Sequence, residues 1–328
     1  MLRSTVALAA ALALSAVASA KPLNPERVSA DAKWLAHVDL AALDKTQALK
    51  EARGVWPERA EKFRNWMRDT YGVDPREDLQ SVTIYGTGYT EGDCAMVLTS
   101  DYSADKVRSR IDSQEDVKET EWRGHTIYTC KAGKMKHSSK GSDNQSSYGS
   151  SESKSGSDRV AWVLLDDNTI VYAKSKRGVK DAVETIEGHA PSLASDGADS
   201  RLTADPPEAA VAYAAAVQLD EIPHEGWMFP LLRQHERATY ALGERDGELF
   251  DELKLVARNE QVAEQMKQVV EGYTAALRVS FINSEPITKM LKNVEVQQDG
   301  DTVTASWNGE VERFAQALRS FKNDKQRR

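Results

Sequence analysis

The segment 72–81 constrains the fold of this chain more than any other, because it leads a capped turn directly into a strand. Asp74 can cap a helical turn, since its carboxylate can accept hydrogen bonds from the free amides of the first turn. Pro75 suits the first position of that turn, and Glu77 stands where its side chain can reach back to the cap amide. The sequence therefore predicts one capped helical turn that opens into a β-strand near Ser81.

An antiparallel hairpin follows the turn. From residue 82 to residue 87, apolar or small residues alternate with polar or aromatic ones, and a period of two is typical of a strand. Glu91-Gly92-Asp93 then forms a corner, and a second strand is predicted from Cys94 to Ser100. A helical turn next to a hairpin favours an α+β fold with a mostly antiparallel sheet.

Both halves of the chain repeat one order of elements: strand, helix, hairpin, helix, hairpin, helix. We predict two similar α+β units, residues 21–190 and 208–322, each a mostly antiparallel sheet with helices packed on one face. Residues 191–207, rich in Pro and Gly and without periodicity, form the predicted linker. Residues 323–328 form a basic tail.

Several boundaries within these units are specific expectations. One uninterrupted strand is predicted from Trp122 to Cys130, and a helical stretch is predicted over 227–236. Asn308 is the expected cap of the final helix.

Residues 1–20 have the three parts of a secretory signal peptide. Arg3 supplies the positive charge, residues 6–17 form an apolar stretch too short to span a bilayer, and Ala18-Ser19-Ala20 is a cleavage site. No later stretch approaches 18 uninterrupted apolar residues. We therefore expect an exported protein, periplasmic or extracellular, that begins at Lys21 and has no transmembrane segment in the mature chain.

Residues 132–158 interrupt the first unit between two predicted strands. Ten of these 27 residues are Ser and four are Gly, a composition that predicts disorder. The segment could serve as a flexible arm for a partner or be a tolerated surface insertion. The small dependence of loop-closure entropy on length favours the insertion.

Charge and composition exclude one class of partner. The formal net charge is −8, with 40% hydrophobic and 29% charged residues. This balance is typical of a globular protein and lacks the basic footprint of a nucleic-acid binder. The expected partner is a protein or an envelope polymer.

The two cysteines, Cys94 and Cys130, fall in the first half and admit two interpretations. In an exported protein they can form a disulfide between neighbouring strands. They can also be two free thiols that behave as small apolar residues. No Cys-x-x-Cys motif and no histidine at ligand spacing accompanies either one, which argues against a catalytic or metal-binding role.

A search for catalytic motifs yields no candidate catalytic, cofactor-binding or metal-binding residue. The sequence contains no nucleophile elbow, zinc-protease helix, phosphate-binding loop or calcium loop. His224 and His235 lack the spacing of a metal motif, and His37 is interpreted as a hydrogen-bonded histidine of the sheet. The carboxylate clusters are assigned to caps and turns, where Asp bonds its own backbone: Asp74, Glu77 and Asp78; Asp166 and Asp167; Asp246, Glu248, Asp251 and Glu252; Asp299 and Asp301.

The chain resembles uncharacterised exported bacterial proteins built from a duplicated α+β unit. The resemblance rests on the signal peptide, on Val38-Asp39-Leu40 at the end of the first strand, and on Gly72-Val73-Asp74-Pro75 with Leu79. It implies an architecture and an envelope location, and it brings no activity and no site residues.

Two functions from different classes remain open. The favoured one is a non-catalytic envelope protein that acts as a binding or interaction scaffold. The alternative is an exported hydrolase whose carboxylates or histidines converge between the two units. Two carboxylates facing each other across a deep cleft would favour the hydrolase.

Overall fold

The computed structural model describes most of the chain as one α+β body. Described are residues 22–71, 73–100, 107–108, 116–131, 159–165, 168–202, 206–222 and 233–327. The predicted signal peptide, the Ser-rich segment 132–158 and most of the predicted helix over 227–236 lie outside the described residues.

Twelve strands of the described residues form a single sheet, in which every neighbouring pair is antiparallel. The strands are β1 Trp34–Asp39, β2 Leu79–Gly86, β3 Cys94–Ser100, β4 Lys118–Trp122, β5 His125–Lys131, β6 Arg159–Leu165, β7 Thr169–Ala173, β8 Ala210–Val217, β9 His235–Arg245, β10 Glu248–Ala257, β11 Val294–Asp299 and β12 Thr302–Glu310.

Seven α-helices lie in the described residues. They are α1 Leu40–Lys45, α2 Gln47–Val55, α3 Pro57–Tyr71, α4 Lys176–Ile186, α5 Glu260–Ser280, α6 Glu285–Lys292 and α7 Val311–Arg327. A large antiparallel sheet with these helices confirms the predicted α+β class.

The two halves of the chain meet at the centre of this sheet. The strand order is β11-β12-β10-β9-β8-β1-β2-β3-β7-β6-β5-β4, so β1 and β8 pair directly, with Leu35 opposite Ala215. On each side of this pair the third strand lies next to the last strand of its half, β3 beside β7 and β10 beside β12. The predicted units therefore share one sheet, and their origin by duplication stays a prediction.

A filled core covers one face of the first half of the sheet. Val179, Ala182 and Val183 of α4 are fully buried against strand residues that include Val163 and Val171. These valines alternate with residues of the opposite face, as a period of two requires. The α4 helix therefore packs closely on this part of the sheet.

The helices of the second half cover the opposite face. Phe250 of β10 packs against the core under α4, whereas Leu253 and Leu255 pack with Ala263 and Met266 of α5. Even and odd residues of one strand point to opposite faces. Thus α4 and α5 lie on opposite faces of the shared sheet.

The predicted linker contributes to the first core. Leu193 and Leu202 are buried in the cluster under α4. The amide of Leu193 donates to the carbonyl of Val28 at 2.8 Å, and Ser192 forms an isolated β-bridge with Ser29. These contacts hold the segment against the beginning of the described chain.

The predicted strand Trp122 to Cys130 is wrong, because a tight turn divides it. Arg123 and Gly124 have φ angles of +49° and +82°, and β4 pairs with β5 across them. Two positive φ angles in a two-residue loop are the mark of the turn that matches strand twist. Arg-Gly is a less familiar form of this signal than Asn-Gly.

The expected boundaries near the end of the chain also differ. Asn308 lies within β12, opposite Phe250, so it does not cap the final helix, which begins at Val311. The short helix α6 was not predicted; it begins with Glu285 and Pro286, a favoured first-turn residue.

The capped turn at residue 74 forms with one change of partner. The Asp74 carboxylate accepts from the amide of Arg76 at 3.0 Å, as expected of a cap. The side chain that reaches back to the Asp74 amide is Asp78, at 2.7 Å, whereas Glu77 pairs with Arg64 of α3. Arg64 also contacts Asp74, with Nε 2.7 Å from Oδ2.

Candidate functional site

A cavity with a volume of about 670 Å³ lies among the described residues of the second half of the molecule. Its floor is formed by β8, β9, β10 and β12, and its walls and roof by the end of α1 with α2, α5, α6 and α7. Most of its surface is apolar, supplied by residues that include Leu43, Leu49, Ala52, Leu242, Leu249, Leu253, Leu277, Met290, Leu291, Val294, Ala305 and Phe314.

The sequence of β10 explains the floor. Leu249, Asp251 and Leu253 alternate with residues of the other face, so these three side chains project together into the cavity. Ala305 of β12 lies directly opposite Leu253 and Trp307 directly opposite Asp251. The small side chain of Ala305 leaves space above the sheet.

A helix from the first half of the chain forms one wall. The Glu244 carboxylate of β9 accepts from the amides of Gln47 (3.0 Å) and Ala48 (2.9 Å), the first residues of α2. Arg319 of α7 contacts Glu51 of α2 at 2.6 Å. These contacts place Leu49 and Ala52 over the cavity, since an anion at a helix N-terminus satisfies free amides.

Most polar groups of the wall are already hydrogen-bonded to the backbone. Thr46 donates to the carbonyl of Leu43 at 2.7 Å, and Thr274 donates to the carbonyl of Val270 at 2.8 Å. The indole N–H of Trp307 donates to a carbonyl of α6 at 2.9 Å. None of these three donors is left to a ligand.

The side chains of Asp251 and Tyr240 are hydrogen-bonded to each other and not to the backbone. The Tyr240 hydroxyl donates to Oδ2 of Asp251 at 2.9 Å across neighbouring strands. Burial raises the pKa of the Asp251 carboxyl, although the hydrogen bond from Tyr240 opposes this shift. Burial, the charge of Asp251 and the same hydrogen bond raise the pKa of Tyr240 to about 12.

The cavity opens to solvent beside α5. Tyr273 lines the cavity and is 52% exposed, and Val269, one turn earlier, is also exposed. The N-terminal part of α5 is buried on the sheet through Ala263 and Met266. The C-terminal part of α5 therefore forms the rim of the opening.

The assignment of Asp251 and Glu252 to a turn is wrong, because both lie inside β10. The turn of this hairpin lies at Asp246 and Gly247, which have positive φ angles, whereas Asp251 lies within β10. The signal was present in the sequence, because Leu249, Asp251, Leu253 and Leu255 form an alternating row with one carboxyl in it. Grouping Asp251 with its acidic neighbours concealed that row.

None of the described histidines lines the cavity. His37 is buried and its Nδ1 lies 2.9 Å from Oγ1 of Thr83, which confirms a hydrogen-bonded histidine in the sheet. His235 is buried at the start of β9, and His224 lies outside the described residues. Among the described residues, no group of three His, Cys, Asp or Glu side chains is placed to hold a metal ion.

The structure shows no disulfide between Cys94 and Cys130, the first of the two interpretations. Cys94 lies in β3 and Cys130 in β5, and two strands, β7 and β6, separate them. Three strand spacings amount to about 14 Å, twice the largest Cα separation that a disulfide spans. Burial raises the pKa of Cys130, as expected for the second interpretation, an unreactive thiol.

A second, smaller cavity of about 270 Å³ lies near the start of α4. Its lining mixes Tyr85, Asp93, Cys94, Arg177 and Asp181. Arg177 and Asp181 form an exposed ion pair at 3.6 Å. An exposed pair on one helix contributes little binding energy, so the larger cavity is the better candidate site.

Comparison with known proteins bears on the fold alone. No protein-family model matches the chain, and no curated protein is similar to it. Crystal form III of TP0453 is similar in structure, with a TM-score of 0.50 and 10% identity over 91% of this chain and 99% of that chain. Crystal form I of TP0453 has a TM-score of 0.43, also at 10% identity, over 91% of this chain and 98% of that chain.

Within the part of the chain that the structure describes, no helix combines the length and the apolar character needed to cross a membrane.

Proposed function

We propose that this chain is an exported, non-catalytic binding protein that holds a small apolar molecule in the cavity beneath α2 and α5. A volume of about 670 Å³ falls within the range of about 300–1,000 Å³ typical of small-molecule sites. The opening beside Tyr273 gives a ligand a route of entry.

The proposal rests on one observation. Leucines form much of the cavity wall, and the hydrogen-bond donors beside them are already bonded within the protein. The donors of Thr46, Thr274 and Trp307 are used within the protein. Such a surface gains free energy mainly from removing apolar area from water, at about 25 cal/mol per Å². It therefore favours an apolar ligand over a sugar, a nucleotide or a peptide backbone.

The same lining supports a non-catalytic role. Among the described residues of the cavity, Asp251 is the one carboxyl, and none is His, Cys, Lys or Arg. A carboxylate-based hydrolase needs a second carboxyl facing the first across the cleft. The described lining thus offers no specific support for the predicted alternative.

Titration with N-phenyl-1-naphthylamine, whose fluorescence rises in apolar surroundings, tests the proposal. Ala52→Trp places an indole in the cavity, and we expect it to weaken probe binding at least about tenfold by occupying the space of the ligand. Lys50→Trp adds the same side chain to the exposed face of α2 and should leave probe binding unchanged.

Thermal unfolding of both variants keeps this result interpretable. A folded Ala52→Trp protein that binds the probe like the parent would overturn the cavity as the binding site. Failure of the parent itself to bind any apolar probe would overturn the proposed function.

Export is a separate part of the proposal, supported by the three-part pattern of residues 1–20. Intact-mass measurement of the protein from the exported fraction should give a chain that begins at Lys21. A mature protein that retains Met1 would contradict export through this signal.

A further inference from the structure

We propose that the cavity selects an uncharged amphiphile whose hydroxyl or amide N–H donates a hydrogen bond to Asp251. This inference rests on the proposed function, because it names the class of apolar ligand that the cavity takes. It starts from the position of one carboxyl in a row of leucines on β10.

The first step concerns the hydrogen-bonding capacity of Asp251. An ionised carboxylate has about four acceptor positions. Tyr240 donates to Oδ2 at 2.9 Å, and no second donor or cation among the described residues contacts this carboxylate. Acceptor capacity therefore remains at the floor of an otherwise apolar cavity.

The second step concerns access. Tyr240 is 36% exposed although it lies on a central strand with helices above it. Both Tyr240 and Asp251 line the cavity. A molecule that fills the cavity therefore meets this polar pair directly.

The third step excludes anionic head groups. The described lining contains no Lys, Arg or His that could neutralise a carboxylate or phosphate. A second negative charge beside Asp251 would be repelled in surroundings that screen charge poorly. A free fatty acid anion is therefore the wrong ligand for this floor.

The fourth step separates donors from acceptors. An ester oxygen can only accept a hydrogen bond, so it leaves the carboxylate without a new partner and displaces water from it. A hydroxyl or amide N–H replaces that water with a charge-assisted hydrogen bond. The favoured class is thus an alkyl chain with a neutral donor, such as a long-chain alcohol.

Three competitors of equal chain length test this inference. Each is titrated against bound N-phenyl-1-naphthylamine at neutral pH, and its ability to displace the probe is measured. We expect 1-dodecanol to compete at about tenfold lower concentration than methyl laurate or laurate, because only the alcohol donates a hydrogen bond without bringing a negative charge. Asp251→Leu should abolish the preference for the alcohol over the ester. Asp251→Asn should remove the discrimination against laurate, since the amide carries no charge.

Glu252→Gln supplies the matched control. Glu252 is the next residue of β10, points to the other face and pairs with Lys254 at 2.7 Å. This variant should keep the preference of the parent.

The outcomes distinguish this inference from the proposed function. Equal displacement by all three compounds, or tighter binding of laurate, would overturn the role of Asp251 while the cavity remains a binding site. Failure of the probe to bind the parent would overturn the proposed function and this inference together. A preference for the alcohol that survives Asp251→Leu would also refute the assignment.

Discussion

The two halves of the sheet have the same order of neighbouring strands but are covered in different ways. Over the first half, β1–β7, α4 packs directly on the sheet through Val179 and Val183. Over the second half, β8–β12, only the N-terminal part of α5 does so, and a cavity of about 670 Å³ lies beneath the rest.

The difference follows from one row of side chains. Rows that face α4 consist of apolar residues such as Val163 and Val171, which a helix can cover at full packing density. The row that faces the cavity contains Asp251 between two leucines. Covering that carboxyl with a closely packed helix would bury a charged group with one partner, which costs several kcal/mol. A shared topology can therefore support a filled core in one half and an open cavity in the other.

Truncation of one leucine in each half should give the largest contrast. Leu35 is 1% exposed at the centre of the sheet, and Leu35→Ala should cost about 2–5 kcal/mol of unfolding free energy. Leu253→Ala should cost no more than about 1.5 kcal/mol, because its side chain already borders open space and loses fewer contacts. Urea unfolding measures both, and equal losses would contradict the contrast between the halves.

Replacing one carboxyl in each half should change the free energy of unfolding in opposite directions, with effects of intermediate size. Asp39 of the first half caps α1 by accepting from the amide of Ala42 at 2.8 Å, so Asp39→Ala should lower stability by about 1 kcal/mol. Asp251→Leu should raise stability by about 1 kcal/mol, since it replaces a poorly compensated carboxyl with an apolar side chain. A destabilised Asp251→Leu protein would show that the carboxyl serves the fold rather than the ligand.

The pH dependence of stability should also differ in sign between the halves. Burial alone would raise the pKa of Asp74, but the Arg76 amide and the Arg64 guanidinium outweigh it and lower that pKa below 3.8. The contribution of Asp74 is therefore complete above the unfolded-state pKa and is lost as pH falls through the folded-state pKa. The pKa of Asp251 is raised in the folded protein. Its contribution to stability is therefore complete below the unfolded-state pKa and is lost as pH rises through the folded-state pKa.

Melting temperatures between about pH 2 and pH 7 test both signs, because the Asp74 contribution is lost only at acidic pH. Relative to the parent, Asp251→Asn should gain a few degrees as pH rises, because the parent loses the contribution of its protonated carboxyl. Asp74→Asn should be less stable than the parent by an amount that does not shrink as pH rises. A relative loss for Asp251→Asn over this range would mean that the carboxylate is compensated in the folded protein.

The sequence predicted most elements but not how they combine. The predicted strand from Cys94 to Ser100 matches β3, since alternation acts over a few neighbours. Division of residues 122–130 by Arg123 and Gly124 was missed because that turn depends on backbone conformation. Fusion of both halves into one sheet depends on the pairing of β1 with β8, to which no local pattern refers.

The candidate site was harder to predict than the fold. Asp251 could have been recognised from its alternating leucines, but its partner Tyr240 belongs to another strand. The wall formed by α2 depends on Glu244, which lies almost 200 positions away from the helix that it caps. Cavities arise where such long-range contacts hold a helix above a sheet, so local patterns carry little information about them.

Thiol labelling gives the smallest effect but probes the filled half directly, because both cysteines lie there. A thiol reagent should in time label both cysteines of the oxidised protein, since neither takes part in a disulfide. Cys94 is half-buried and should react first, whereas Cys130 is buried, and burial raises the pKa of its thiol. Because the thiolate is the reactive form, Cys130 should react only when β5 and β6 open locally.

Addition of 1-dodecanol should leave the labelling rate of Cys130 unchanged if the ligand occupies only the second half. Peptide mapping identifies which cysteine reacted. No reactive thiol in the unfolded, unreduced protein would instead indicate a disulfide and contradict the strand order, whereas slower labelling of Cys130 with ligand would show that the two halves open together.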